Sequence, residues 1–105
     1  MQNKIYSLLG LATRSRKVDS GEFMTDKAVK SGKAYLVIVA DDASNNTKKE
    51  FINMCKFYGV PVYIYGTKEE LGHAMGKEMR ASLAVTDEGF SKSLVKLLNV
   101  TEVVK

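Results

Sequence analysis

The stretch "YLVIVA" (Tyr35 to Ala40) is an unbroken apolar run rich in β-branched side chains. An amphipathic helix or a half-exposed strand would show polar residues at regular intervals. A short continuous run closed by polar residues, here Asp41 and Asp42, has the pattern of a strand covered on both faces. Two more segments repeat it. "VPVYIYG" holds the one proline, Pro61, near its start, where a missing N–H is tolerated. "SLAVT" is the third core strand.

Segments with helical spacing separate these runs. Ile5, Leu8, Leu9 and Ala12 follow the i, i+3, i+4, i+7 rule, so residues 4–14 read as helix with Asn3 as N-cap. Lys17 to Asp19 reads as a brief edge strand. "GEFMTDKAVK" (Gly21 to Lys30) is a second helix, stopped by Gly32. Ser44 can cap a third through "NNTKKEFINMCKFYG", which places Phe51, Met54, Cys55 and Tyr58 on one face and ends at Gly59. Thr67 opens a short helix, "KEELGHAMG", and Phe90, Leu94, Leu97 and Leu98 mark a last amphipathic one. Strands alternating with helices predict an α/β sandwich, with helices on both faces of a small, mostly parallel sheet. A chain of 105 residues with no repeats, low-complexity stretches or linker fits one domain, 1–105.

The charge is unevenly placed. The net +4 lies in the first third, where residues 1–35 hold seven Lys or Arg against three acids. That excess suggests an anionic partner. One cysteine cannot make an internal disulfide, which points to a reducing compartment. The apolar stretch near the start is interrupted by Ser7 and Gly10 and closed by Arg14, Arg16 and Lys17, so it lacks a signal peptide's core. No run approaches a membrane span. The expectation is a cytoplasmic protein without membrane attachment.

The second helix raises a question. On a helical wheel Met24, Thr25, Ala28 and Val29 gather on one side, while Phe23 falls opposite with Lys27 and Lys30 beside it. Glycine at a helix start allows close backbone approach, and the unpaired amides there can receive a phosphate. A phenylalanine among cations can stack an unpaired base. The alternative is that Phe23 packs under the N-terminal segment and the lysines form a solvated face. The pattern alone leaves both open.

Signals for catalysis are thin. His73, the one histidine, lies on the short helix and reads as a surface residue. Cys55 shares a helix face with Phe51 and Tyr58, which suits a small buried apolar role. Asp41 and Asp42 follow a buried strand, where ligands gather in open α/β folds, and Asp87 and Glu88 could join them around Mg²⁺ or as a phosphoryl acceptor. The plainer expectation is that both acidic pairs cap the helices they precede. No phosphate-binding glycine loop is present.

"LLGLATRSRKVDSGE", "KAVKSGKAYLVIVADDASNNTKK" and "LGHAMGKEMRASLAVTDEGF" resemble the YlxQ-type proteins of Gram-positive bacteria and, through them, the kink-turn-binding ribosomal-protein family. The resemblance runs from about Lys4 to Leu98. It implies a three-layer α/β/α sandwich with a mixed sheet and a non-enzymatic, ribosome-linked RNA-binding role. No metal, cofactor or DNA partner is expected, and the chain is expected to be a monomer. The family's RNA motif opens its second helix with a glycine, then an asparagine and a glutamate, then a lysine, which fall on Gly21, Phe23, Met24 and Lys27. The glycine and lysine match; the asparagine and glutamate do not. A second family contact, the loop after the short helix, falls on Lys77, Glu78, Met79 and Arg80, without the usual apolar-Ser-Arg triplet. With Arg16, Lys17, Glu22 and Lys30, these residues make up the expected RNA surface. Its rivals are a protein-docking adaptor working through Phe23 and Met24, and an aspartate-based Mg²⁺ or phosphoryl enzyme.

Overall fold

The three apolar runs are strands, and caps written into the sequence set the helices around them. The structure, a computed structural model, describes residues 3–104, with side chains through residue 100. Its elements are α1 (Lys4–Arg14), β1 (Val18–Ser20), α2 (Glu22–Lys30), β2 (Leu36–Val39), α3 (Asn45–Tyr58), β3 (Val62–Ile64), α4 (Lys68–Ala74), β4 (Ser82–Val85) and α5 (Glu88–Val104). The side chain of Asn3 caps α1, that of Ser44 caps α3, and Thr67 forms a capping box with Glu70 on α4. Gly59 ends α3 in the left-handed conformation, at φ 73°.

The strands form one sheet in the order β1-β4-β2-β3. Helices α2 and α3 pack on one face, α2 over β1 and β4 and α3 over β2 and β3. Helix α1 packs with α4 and α5 on the other side, giving three layers. The middle strands β2 and β4 are buried at every residue, with Leu9, Val29, Phe51, Leu71 and Leu94 closing over them. The sheet is mixed, as expected, but it is not mostly parallel. Strand β4 runs antiparallel to both β1 and β2, and only β2 and β3 are parallel. An apolar run reports cover on both faces and says nothing of direction. Direction follows from the connection. Helix α4 and its loop close on themselves, the Arg80 N–H donating to the Lys68 carbonyl at 3.0 Å. The chain therefore rejoins the sheet at the end it left and must run back.

Helix α1 stops in a Schellman turn. The Arg16 N–H donates to the Thr13 carbonyl (3.0 Å) and the Lys17 N–H to the Ala12 carbonyl (2.9 Å). The motif needs a left-handed residue at Arg16, which has φ 61° and is the one positive-φ non-glycine among the described residues. Such a conformation costs a side-chain-bearing residue about 1–2 kcal/mol. Glycine would remove that cost and add about 0.5–1 kcal/mol of unfolded-chain freedom. Arg16→Gly is thus expected to raise stability in urea by up to about 1 kcal/mol. A clear loss would contradict this account of the turn.

Candidate nucleic-acid interface

Helix α2 starts at Gly21, whose φ of 94° and ψ of 157° suit glycine. The Gly21 N–H donates to the Ser82 carbonyl at 2.9 Å, tying the helix start to the start of β4. Thr25, fully buried, adds a second tie: its hydroxyl donates to the Gly21 carbonyl (2.6 Å) and accepts from the Ser82 hydroxyl (3.2 Å). No side chain caps α2, so its first-turn amides are left facing outward.

The loop from Gly76 to Ala81 folds back over α4, with the Lys77 N–H on the Gly72 carbonyl at 2.8 Å. It delivers Met79 and Arg80 beside that uncapped helix start. The Arg80 Nε donates to the Ser20 hydroxyl (3.3 Å) and its Nη1 to the Met79 carbonyl (3.0 Å), which aims the guanidinium while leaving other N–H groups available. Between the two elements lies an open cleft of about 350 Å³, walled by Gly21, Phe23 and Met24 on one side and Met79, Arg80 and Ala81 on the other. Phe23 is 76% exposed, so it does not pack under the N-terminal segment. Met79 is 57% exposed. Met24, placed on the apolar side by the helical wheel, is 39% exposed. Thr25, Ala28 and Val29 suffice to fill the contact with the sheet, and Met24 leans toward the cleft.

The structure sorts the remaining candidates. Lys27 lies one turn beyond Phe23 on the same exposed crest, and Lys77 and Glu78 are exposed on the loop. Glu22 turns the other way, its carboxylate accepting from the Thr47 hydroxyl of α3 at 3.2 Å. Lys30, two turns from Phe23, pairs with Asp26 at 3.0 Å. That hydrogen bond is the main cause holding its ammonium above the usual range. Arg16 and Lys17 are not at the cleft. The Lys17 carbonyl accepts from the Thr86 N–H, whereas Gly21 bonds Ser82. Four residues of extended chain, about 13 Å, separate them. Ser20, Ala81 and Gly72 were missed by the sequence reasoning. Gly72 alone carried a signal, as a glycine inside a helix.

A second groove of about 220 Å³ flanks Phe23 on its α3 side. Glu22, Asp26 and Glu50 line it, so it is acidic, whereas the cleft, which Glu22 also borders, has the Arg80 guanidinium in its wall.

The aspartates do not form a catalytic cluster. Asp41 and Asp42 follow β2, and Asp87 follows the antiparallel β4, which places them at opposite ends of the sheet. Asp87 caps α5, accepting from the Phe90 N–H at 2.9 Å. Asp42 does not cap α3, which Ser44 does; it accepts from the Lys68 N–H at 2.8 Å and anchors the start of α4. Asp41 faces Lys48 at 3.9 Å. Burial pushes the Cys55 thiol up to about 11, so it is not a thiolate at neutral pH. Among the described residues no group of three or more His, Cys, Asp or Glu could hold a metal ion, and no helix is long and apolar enough to cross a membrane.

The chain belongs to the ribosomal protein L7Ae/L30e/S12e/Gadd45 family, which it matches over residues 3–95. It is 44% identical over 94 residues to the RNA-binding protein YlxQ of Bacillus subtilis (strain 168), covering 90% of this chain and 94% of that one. It is 37% identical over 83 residues to the large ribosomal subunit protein eL30 of Sulfolobus acidocaldarius, covering 77% of this chain and 80% of that one. Among solved structures, a protein with unknown function from Bacillus halodurans C superposes with a TM-score of 0.90 at 42% identity, covering 93% of this chain and 99% of that one. A 15.5 kD RNA-binding protein of Giardia lamblia shares the fold, with a TM-score of 0.78 at 20% identity and 100% and 93% coverage. The resemblance to YlxQ-type and ribosomal proteins read from the sequence is borne out.

Proposed function

We propose that this chain is a non-catalytic RNA-binding protein, one domain over residues 1–105, that takes a kink-turn or similarly opened RNA at the cleft. We place it in the cytoplasm, associated with ribosomal or other structured RNA. The observation that carries the reading is the convergence of an uncapped helix start with Phe23, Met79 and a pre-aimed Arg80 in one open cleft. The relatives named as RNA-binding and ribosomal proteins support it. In this reading the α2 amides and Arg80 hold phosphate, Phe23 and Met79 pack against unpaired bases, and Lys27 donates to guanine O6 and N7. A regular RNA helix keeps its major groove too narrow for such contacts, so the RNA must be kinked open.

A gel-shift titration with a kink-turn and a matched duplex lacking the bulge tests it. The kink-turn is expected to bind at least about tenfold more tightly. Equal binding to both sinks the reading. The acidic groove on the far side of Phe23, where phosphate would be repelled, favours a second reading: an adaptor docking a basic, apolar protein segment through Phe23 and Met24.

Salt dependence gives a separate check. Neutralising about three to five phosphates makes log affinity fall steeply with log salt. Lys77→Ala and Arg80→Ala should each flatten that slope by somewhat less than about one unit. An unchanged slope in both variants would take the loop out of the interface.

A further inference from the structure

The cations that the cleft leaves behind are not scattered. Strand pairing puts Leu36 opposite Val85 and Val37 opposite Val62. The start of β2 and the end of α3 therefore share one end of the sheet, and Lys17, just before β1, lies at that end too. Helix α2 also finishes there: the chain leaving it folds back on Ala28, the Ala34 N–H donating to the Ala28 carbonyl at 3.1 Å, and joins the sheet at Tyr35, whose N–H donates to the Val85 carbonyl at 2.8 Å. The Ser82 hydroxyl meets Thr25 of α2, so Ser82 faces the α2–α3 layer. Its cross-strand partner Val39 does the same, and the N–H bond to Val85 holds Tyr35, just before β2, at this end of the sheet.

That end carries three exposed rings. Phe57 is 82% exposed, Tyr35 47% and Tyr58 45%. Phe57 and Tyr58 stand edge to face at 5.0 Å, an ordered pair with one ring open to solvent. Around them stand Lys30, Lys33 and Lys56. Lys33 and Lys56 make no ion pair among the described residues. Of the carboxylates nearby, Asp26 is held by Lys30, Glu50 lies two turns back along α3, and Asp87 is taken up in capping α5. Two helix C-termini meet here and present carbonyls, so any phosphate contact must come from the lysines rather than from backbone amides.

We propose that this end of the sheet is a second RNA contact, which stacks unpaired nucleotides on Phe57 and Tyr35 while Lys30, Lys33 and Lys56 hold their phosphates. The proposal rests on the reading that the chain binds RNA. The exposed crest of α2 connects the two contacts, since Phe23, Lys27 and Lys30 recur at i, i+4 and i+7. A single strand leaving the cleft can follow that line while keeping off the acidic groove toward α3. Rings interleaved with exposed lysines suit unpaired nucleotides, because every base offers a face to stack.

The test uses the full chain and one kink-turn RNA, either blunt or bearing a tail of about six uridines on each strand terminus in turn, with oligo-uridine alone as a third probe. One tail position is expected to tighten binding by about tenfold. Phe57→Ala should abolish that gain without changing the affinity for blunt RNA, and Phe57→Tyr should retain it. At 82% exposure, Phe57 can be truncated without unfolding the chain. If no tail improves binding and oligo-uridine crosslinks to neither Phe57 nor Tyr35, the second contact is overturned while the cleft reading stands. A gain that survives both Phe57→Ala and a Lys33→Ala, Lys56→Ala double change also overturns it. If kink-turns fail to bind but oligo-uridine crosslinks to Phe57, the cleft reading falls and the second contact holds.

Discussion

Gly72→Ala is expected to destabilise the protein by about 3 kcal/mol or more and to lift the loop carrying Met79 and Arg80 away from the cleft. Helix propensity alone predicts the opposite sign, since glycine inside a helix costs about 1 kcal/mol relative to alanine. Packing decides the matter. The loop turns back directly over this glycine, and a β-carbon there would overlap the Glu78 carbonyl and sit 3.2 Å from the Met79 Cα. Both obstacles are backbone, so no change of rotamer relieves them. The loop must lift off α4, which strains or breaks the hydrogen bond from the Lys77 N–H to the Gly72 carbonyl, 2.8 Å long. For a chain of this size the loss corresponds to a fall in melting temperature of about 10–20 °C. Circular dichroism melts would show it, and RNA affinity should fall with it. His73→Ala, at an exposed neighbour, should stay within about 0.5 kcal/mol of the natural protein. A Gly72→Ala protein that melts at or above the natural temperature would mean that the loop does not lie on this helix.

The same glycine shows what could and could not be read from the amino-acid order. Helix limits were legible because caps act over three or four residues: Asn3, Ser44 and Thr67 each bond an amide three positions on. The buried strands were legible because their apolar runs admit no solvent face. The strand directions were not, because they depend on how α4 and its loop fold back on themselves. The candidate site divides in the same way. Phe23 and Lys27 could be placed together because one helix holds them. That Arg80 meets Ser20 across sixty positions of chain could not be derived from spacing. Arg16, Lys17 and Lys30 show the converse. Neighbours of Gly21 in sequence, they stand at the far ends of β1 and α2, two rigid rods that carry them away from the cleft.

The departure from the family motif gives the largest expected gain in binding. Phe23→Asn combined with Met24→Glu restores the family's pair one turn before Lys27, on a helix whose start is fixed by Gly21 and Thr25. Good polar contacts to base edges are worth on the order of 1–3 kcal/mol each. Kink-turn affinity should therefore rise by about tenfold or more, read by the same gel shift. The cost to the fold should be small at both positions. Phe23 is 76% and Met24 39% exposed, so neither change opens a cavity in the core. Position 24 is also the third residue after the Gly21 N-cap, where a carboxylate near the positive end of the helix gains about 0.3–1 kcal/mol. That gain offsets the apolar area lost with methionine, and the double variant should melt within about 1 kcal/mol of the natural protein. A folded double variant with no gain on a kink-turn, together with an unaltered affinity in Lys27→Ala, would show that this face does not read kinked RNA. Phe23 would then be left to a protein partner, with the acidic groove of Glu22, Asp26 and Glu50 beside it as that partner's basic-residue seat.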